Sequence, residues 1–387
     1  MDGMPAWQGC RQNASWQPLN RYLKHCRSRK SRYDGFLAAD SLLHNFLRSN
    51  EWQHLSLSTM FVSQYHDVAK QQRLFRTDLA VRKAFLYSSS ERAGLEMGRG
   101  EIEAVLLWTN HGRLLFDSLT LRNPQPGLSR LPGPCRPMGE ALPYLPTQEL
   151  KRLLRQNVTR QFIGTRSHYD FLQHCYGFQL KVREYWMMVR KPQGLPPFDT
   201  KRGPIAFRSL PNSGGTGRGV RRERGRSTTG ETGRRTSLPV GLRLERLTSE
   251  DFGRLLPLEQ AYYAEEVLQG ELGGPLRRAL EKQCAKRLEQ FLQYGIFDGD
   301  KLIARAMINA YGLYYWQIGG IYTTPEWRGQ GLADFLLQRL SRAIEQAGRS
   351  AMLFVRLENE EALGLYYKNS FEILERMVIA QEPLTSH

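Results

Sequence analysis

The sequence predicts a mixed α/β protein built as two tandem copies of one fold, each a central mixed, mostly antiparallel sheet flanked by helices. Three observations predict it. From Gln317 to Leu337 the chain passes from β-branched and aromatic residues, through a break at Pro325 and the turn Arg328-Gly329-Gln330-Gly331, into helical periodicity at Leu332, Phe335, Leu336 and Arg339. Far upstream, Tyr169 to Phe178 and then Gln179 to Val189 show the same helix, turn, Phe and two-strand finish as Leu363 to Phe371 and the tail Glu372 to Ala380, a repeat on the scale of a domain. The length of 387 residues lets each of two domains bury its own core.

In chain order, residues 1–32 form a basic arm ending in Lys24-His25-Cys26-Arg27-Ser28-Arg29-Lys30-Ser31-Arg32, or else a poorly ordered start. Residues 33–190 are the first copy. Leu42, Leu43, Phe46 and Leu47 recur at helical spacing, with Asp40 or Ser41 as cap. Strands follow at Arg82 to Ser88, Ile102 to Trp108 and Arg113 to Leu119, then a helix capped by Thr147 with Leu150, Leu153 and Leu154 on one face, and a strand at Gln161 to Thr165. Residues 191–240 read as a flexible linker, rich in Arg, Gly and Pro and almost without apolar side chains. Residues 241–387 are the second copy. It opens with an alternating strand, Gly241 to Leu247, and a helix capped by Ser249 running to Tyr262 and Tyr263. A helix after Pro275, a hairpin from Gly295 to Asn309 on an Asp-Gly turn, the Gln317 to Leu337 stretch, a helix ended by Gly348 and a buried strand from Ala351 complete it.

A formal net charge of +17 points either to an acidic partner such as nucleic acid, ribosome or an anionic membrane surface, or to a solvated Arg-rich surface. Arg/Gly interleaving in the linker is a minimal composition for a weak nucleic-acid contact. Five cysteines, none in a Cys-x-x-Cys pair, fit a reducing cytoplasm, and the spacing of Cys10, His25 and Cys26 matches no zinc pattern, so no metal is expected. No apolar run reaches eighteen residues and no signal-peptide pattern opens the chain, so neither membrane spanning nor secretion is expected.

A glycine turn that feeds a helix presents backbone N–H groups without intrahelical partners at the positive end of the helix dipole, a place that binds phosphate. Gly329 and Gly331 let the backbone approach an anion closely, and Arg328 adds a fixed charge. A Walker loop would need Lys-Ser/Thr where Leu332-Ala333 stand, and a dinucleotide fingerprint would need glycine where Asp334 stands. Both nucleotide readings fail.

What remains is Arg328-x-x-Gly331-x-Ala333 after a strand ending in Thr-Pro, followed downstream by Asn359, Ala362, Leu365, Tyr366 and Phe371 in a strand-Asn-helix-turn context. Over roughly residues 241–382 these two motifs resemble the GNAT acyl-CoA N-acyltransferase superfamily, and the repeat makes the first half a diverged second GNAT domain. Ser370 departs from the family's glycine and places an L-residue at a left-handed turn position.

The resemblance implies acetyl-CoA as acyl donor. Its diphosphate would lie on the amides of Arg328, Gly329, Gln330, Gly331, Leu332 and Ala333. Its pantetheine arm would pair with the backbone of Ile321, Tyr322 and Thr323, with Asn359 and Tyr366 nearby. A substrate amine attacks the thioester directly, so no acyl-enzyme is needed, and the acceptor is a small-molecule or protein amine. Tyr366 matches the tyrosine beside the departing sulfur. Reference values of about 10 for a phenol and about 8.5 for a thiol make full proton transfer uphill by roughly 2 kcal/mol, which favours a hydrogen-bond donor over an acid. Glu265 and Glu266 are the candidate bases, with Glu271, Glu326 and Glu358 as further carboxylates near the motifs. In the first copy the proline-rich loop from Arg122 to Pro146 lacks the N–H donors an anion nest needs, so that copy is read as non-catalytic, and His111, His168 and His174 as surface or packing residues. The competing reading is a CoA-binding scaffold or sensor whose linker contacts nucleic acid or ribosome.

Overall fold

The computed structural model describes residues 15–18, 46, 51, 81–88, 102–118, 147–190, 237–268 and 270–382. In the first copy, strands β1 (Ser15–Pro18), β2 (Val81–Ser88), β3 (Ile102–Thr109) and β4 (Arg113–Ser118) precede helix α1 (Thr147–Gln156), β5 (Gln161–Thr165), α2 (Arg166–Tyr176) and β6 (Lys181–Arg190). In the second, β7 (Leu242–Arg246), α3 (Phe252–Tyr262), a π-helical turn (Tyr263–Leu268) and α4 (Gly274–Gln290) lead into β8 (Gln293–Asp298), β9 (Lys301–Tyr311) and β10 (Tyr315–Thr323). Then come α5 (Leu332–Gln346), β11 (Ser350–Arg356), α6 (Glu360–Lys368) and β12 (Phe371–Gln381). The strands and helices read from periodicity are therefore present. The helix expected around Asp40 lies outside the described residues except for Phe46 and Glu51, as does the linker from 191 to 236.

Part of the basic arm is a strand. Ser15–Pro18 pairs antiparallel with β2, Trp16 opposite Tyr87. Four residues were too few for a periodicity to announce them.

All twelve described strands form one sheet, ordered β1-β2-β3-β4-β5-β12-β6-β11-β10-β9-β8-β7. The order contains an exchange. β12, the last strand of the second copy, pairs with β5 of the first, while β6, the last strand of the first copy, pairs with β11 of the second. β6 and β12 then pair with each other from Lys181 opposite Gln381 to Arg190 opposite Phe371. The expected two-strand finish is thus one long strand in each copy, and the place beside β5 or β11 is taken by the other copy's strand. Hydrophobic pattern fixes which face a strand buries but not which chain segment lies beside it. Glu51 adds a second tie: its carboxylate accepts the N–H groups of Leu313 (2.6 Å), Tyr314 (2.6 Å) and Tyr315 (3.0 Å), closing the β9-β10 connection from the first half of the chain.

The sheet of the second copy is packed on both faces. On one face Ile303, Ile308, Trp316, Ile318, Leu353 and Val355 pack against Leu336, Leu337 and Leu340 of α5 and Tyr366 of α6. On the other, Leu302, Phe297 and Tyr322 pack against Leu255 and Leu258 of α3 and Leu288 of α4. The start of α3 is set by Asp251, whose carboxylate accepts the N–H of Thr248 (2.9 Å), so the cap lies one residue before the expected Ser249. Asn359 caps α6 as expected, accepting the N–H of Ala362 (3.0 Å). Ser370 occupies the left-handed region at φ 64°, the one non-glycine among the described residues to do so. No helix among the described residues is long and apolar enough to cross a membrane.

Asp334, in the first turn of α5, is buried and takes hydrogen bonds from Gln338 (2.9 Å), Asn369 (2.8 Å) and Lys368 (3.0 Å), clamping α5 to the end of α6. Burial pushes its carboxyl up, but these three donors outweigh that and hold it below the usual carboxylate range. A depressed folded pKa stabilises the fold above the unfolded value near 4 and ceases to do so as pH falls through the folded value. Asp334→Asn is expected to cost about 1–3 kcal/mol at pH 7, and the gap to wild type to shrink toward pH 3. Urea denaturation at both pH values measures it.

Candidate active site

The site is an opening in the sheet. β10 and β11 run parallel and pair from Tyr315 opposite Ser350 to Ile318 opposite Leu353, and no further. β11 continues to pair with β6 as far as Arg356, so the edge of β10 facing β11 is left without a ladder partner from Gly319 to Thr323. Two offset bulges produce the opening. Between Gln317 and Ile318 the partner β9 carries an extra residue, Asn309, and between Gly319 and Tyr322 β10 carries one.

Glycine eases the crowding here, and at 320 it also relieves a positive φ. A Cβ on Gly319 would stand 2.4 Å from Asn309 Nδ2, and one on Gly320, whose φ is +56°, would stand 2.2 Å from Arg305 Nη1. The second bulge also shifts the phase of the strand. Ile318 and Ile321 belong to the α5 face, whereas Tyr322 turns to the α3 face.

Just past the opening, Gly329 and Gly331 both adopt φ +75°, which an L side chain rarely does. Arg328 and Gly329 are exposed and Gln330 and Gly331 half-buried, while Leu332 is buried in the core and pins the helix end behind them. No hydrogen bond within the described residues uses the N–H of Gly329, Gln330, Gly331, Leu332 or Ala333, the first α5 donor being Phe335 to Gly331 O (3.0 Å). Five consecutive donors at a helix N-terminus suit a diphosphate. Near the opening, the buried Asn309 Oδ1 and Thr323 Oγ1 also have no hydrogen-bond partner among the described residues. The residues present therefore fit an extended, polar-edged group lying along β10 with its anionic end at Gly329 to Ala333.

Tyr366 is buried, 8% exposed, within the core on the α5–α6 face. Burial raises its phenol pKa, and nearby Tyr262 and Glu266 raise it further. Tyr262 itself packs with the core on the α3 face. The π-turn carries the two candidate bases. Glu265 accepts from Tyr322 Oη (2.9 Å) and Arg328 Nη2 (2.7 Å), and these bonds, Arg328's above all, hold its carboxyl below the usual range. The Tyr322 phenol is pushed up to about 12 by burial and by its bond to Glu265. Glu266 accepts from Arg356 Nη2 (2.7 Å). Arg183, on the exchanged strand β6, donates to Val267 O (2.5 Å), so the first copy braces the same turn.

The other carboxylates are not brought together. Glu271 is exposed, Glu326 is exposed and bonded to Lys301 (3.0 Å), and Glu358 is exposed beside Tyr185. Glu265 and Glu266 each have an arginine partner, Arg328 and Arg356. Sequence reasoning missed Arg305 and Glu259 altogether. Arg305 on β9 is fully buried, meets the Glu259 carboxylate, lies 4.8 Å from the centroid of the Tyr262 ring and fills the space beside Gly320. A lone Arg in the apolar run Leu302 to Ile308 was the only available signal.

The first copy has the same strand arrangement with its gap filled. β4 and β5 are parallel and pair only from Arg113 opposite Gln161 to Leu115 opposite Ile163. Counted from the first pair of each, Ser118 corresponds to Gly320, and the Ser118 N–H donates to His168 Nε2 (3.0 Å). His168 also lies 2.6 Å from Thr165 Oγ1 and 3.3 Å from Asp117 Oδ1, all four residues buried. His168 is a packing residue there, and it uses the backbone donor that an extended ligand would need.

The family model described as Acetyltransferase (GNAT) family matches residues 257–371, from within α3 to the first residue of β12. The chain thus carries a domain of the GNAT acetyltransferase family. Among solved structures, the X-ray structure of a Drosophila protein is 14% identical with a TM-score of 0.53, over 95% of this chain and 98% of that one. At that identity the likeness shows the fold, over nearly the whole chain. A tandem GNAT protein from the clavulanic acid biosynthesis pathway is 12% identical, TM-score 0.43, over 96% of this chain and all of that one. A putative GNAT-family acetyltransferase from Novosphingobium aromaticivorans is 16% identical, TM-score 0.33, over 52% of this chain and 66% of that one. No curated protein matches the chain.

Proposed function

We propose that the second copy transfers an acetyl group from acetyl-CoA to a primary amine nitrogen of a small-molecule or protein acceptor, in the cytoplasm. The observation that carries this reading is the coincidence of the β10–β11 opening with five amides at its mouth that have no partner among the described residues, and a buried phenol in the core on the α5–α6 face of the same sheet. When bound, acetyl-CoA supplies an activated acyl group as a thioester. Gly329 to Ala333 hold the diphosphate by backbone N–H groups, and the free edge of Gly319 to Thr323 orients the arm by strand-like hydrogen bonds. Tyr366, kept protonated by its burial, donates a hydrogen bond where the sulfur acquires negative charge. Glu265 or Glu266 takes the proton released by the amine, directly or through water. The π-turn that carries them, braced by Arg183 of β6, forms the acceptor side, so the first copy shapes the site without binding cofactor.

Thiol release from acetyl-CoA by the full chain, with glycine, tyramine, spermidine or a lysine-containing peptide as acceptor, tests the reading. Amine-dependent release is expected. Gly331→Val, which forces a β-branched residue to φ +75°, is expected to weaken coenzyme A binding at least about tenfold. Tight coenzyme A binding without release from any of the four amines would replace the enzyme by a scaffold.

A further inference from the structure

The side chain of Arg328 lies across the mouth of the opening. Its Nε donates to Thr323 O (3.1 Å), the backbone carbonyl at the end of the unpaired β10 edge. Its Nη2 is 2.7 Å from Glu265 Oε2, and its guanidinium carbon is 5.5 Å from the centroid of the Tyr322 ring. It thus touches the edge that the cofactor arm would use, and it engages a candidate base.

We propose that Arg328 is a two-position switch: it closes the mouth by holding Glu265, and arrival of the coenzyme A diphosphate draws its guanidinium to the loop, opening the β10 edge and releasing the Glu265 carboxylate to the acceptor side. This rests on the reading that the diphosphate docks on residues 328–333. Arg328 is the first residue of that loop, and a guanidinium binds a diphosphate with more hydrogen bonds and more charge than it finds in one carboxylate. The hold on Glu265 is weak enough to exchange, because both side chains are about two-fifths exposed, 43% and 41%, and such pairs are worth little in water. Once Arg328 leaves, the chief cause that keeps the Glu265 carboxyl depressed is gone, and the carboxylate becomes a better proton acceptor with Tyr322 still bonded to it. The switch orders the reaction: cofactor first, base second.

Because coupling between two sites is reciprocal, weakening the Glu265–Arg328 pair must strengthen cofactor binding. Calorimetric titration of coenzyme A into the full chain is expected to show Glu265→Gln binding about two- to fivefold tighter than wild type, the effect of one exposed ion pair. Glutamine keeps an acceptor for Tyr322, and the site is exposed, so folding is not at stake. Arg328→Met is expected to bind more weakly, and adding Glu265→Gln to it to change nothing further. A merely structural Glu265 would give weaker or equal binding when replaced. Equal or weaker binding by Glu265→Gln, or the same gain without Arg328, overturns the switch while leaving the docking reading intact. Absence of coenzyme A binding by wild type overturns both.

Discussion

Tyr366→Phe lowers turnover of acetyl-CoA with a competent amine at least about tenfold and leaves coenzyme A affinity within about twofold. The substitution removes one hydroxyl from a ring that packs 6.1 Å from the Phe371 ring in the core, so the fold and the distant phosphate turn are preserved. What is lost is a donor at the point where the sulfur becomes negative. The raised phenol pKa decides which kind of donor it is. Below pH 10 the phenol stays protonated, so any loss of rate on the acid side reports the base, and Tyr366→Phe should lower the whole profile without moving that limb. Steady-state thiol release from pH 6 to 9 makes both measurements.

Glu259→Ala destabilises the protein by about 3–5 kcal/mol. Glu259 is buried between Arg305, itself fully buried, and Arg287 (2.7 Å), and among the described residues Arg305 Nε and Nη1 have no acceptor. Removing the carboxylate leaves a guanidinium uncompensated in the core, against the glycine bulge that opens the sheet. The double replacement Glu259→Leu with Arg305→Met removes the charge along with its partner and is expected to recover most of the loss. Urea denaturation followed by tryptophan fluorescence compares the three. A single-variant loss below about 1 kcal/mol would mean that water reaches Arg305.

The local parts of this account were legible in the sequence. Glycines 329 and 331 announce a turn that lets the backbone approach an anion, Leu332 and Leu336 lie on the buried side of α5, and Asn359 announces a cap, because each signal depends on neighbours within one or two turns. The exchange of β6 and β12 was not legible, since both strands carry patterns that suit burial beside any edge. The two back-to-back bulges at Asn309 and Gly320 were equally hidden, because a bulge is a property of two strands in register. The acidic residues of the π-turn were visible as candidates, but their meaning changed with the structure: Arg328, Arg356 and Arg183 are remote in sequence and reach Glu265, Glu266 and Val267 only through the fold. His168 shows the same limit. The sequence left surface or packing open for it, and its burial with the Ser118 N–H decides for packing.

The most direct test is a crystal structure of the full chain with coenzyme A. The diphosphate oxygens should lie within about 3 Å of the amide nitrogens of Gly329 to Ala333, with the sulfur next to Tyr366 Oη across the β10–β11 opening. A diphosphate bound elsewhere, or a sulfur separated from Tyr366 by the intact sheet, would contradict it.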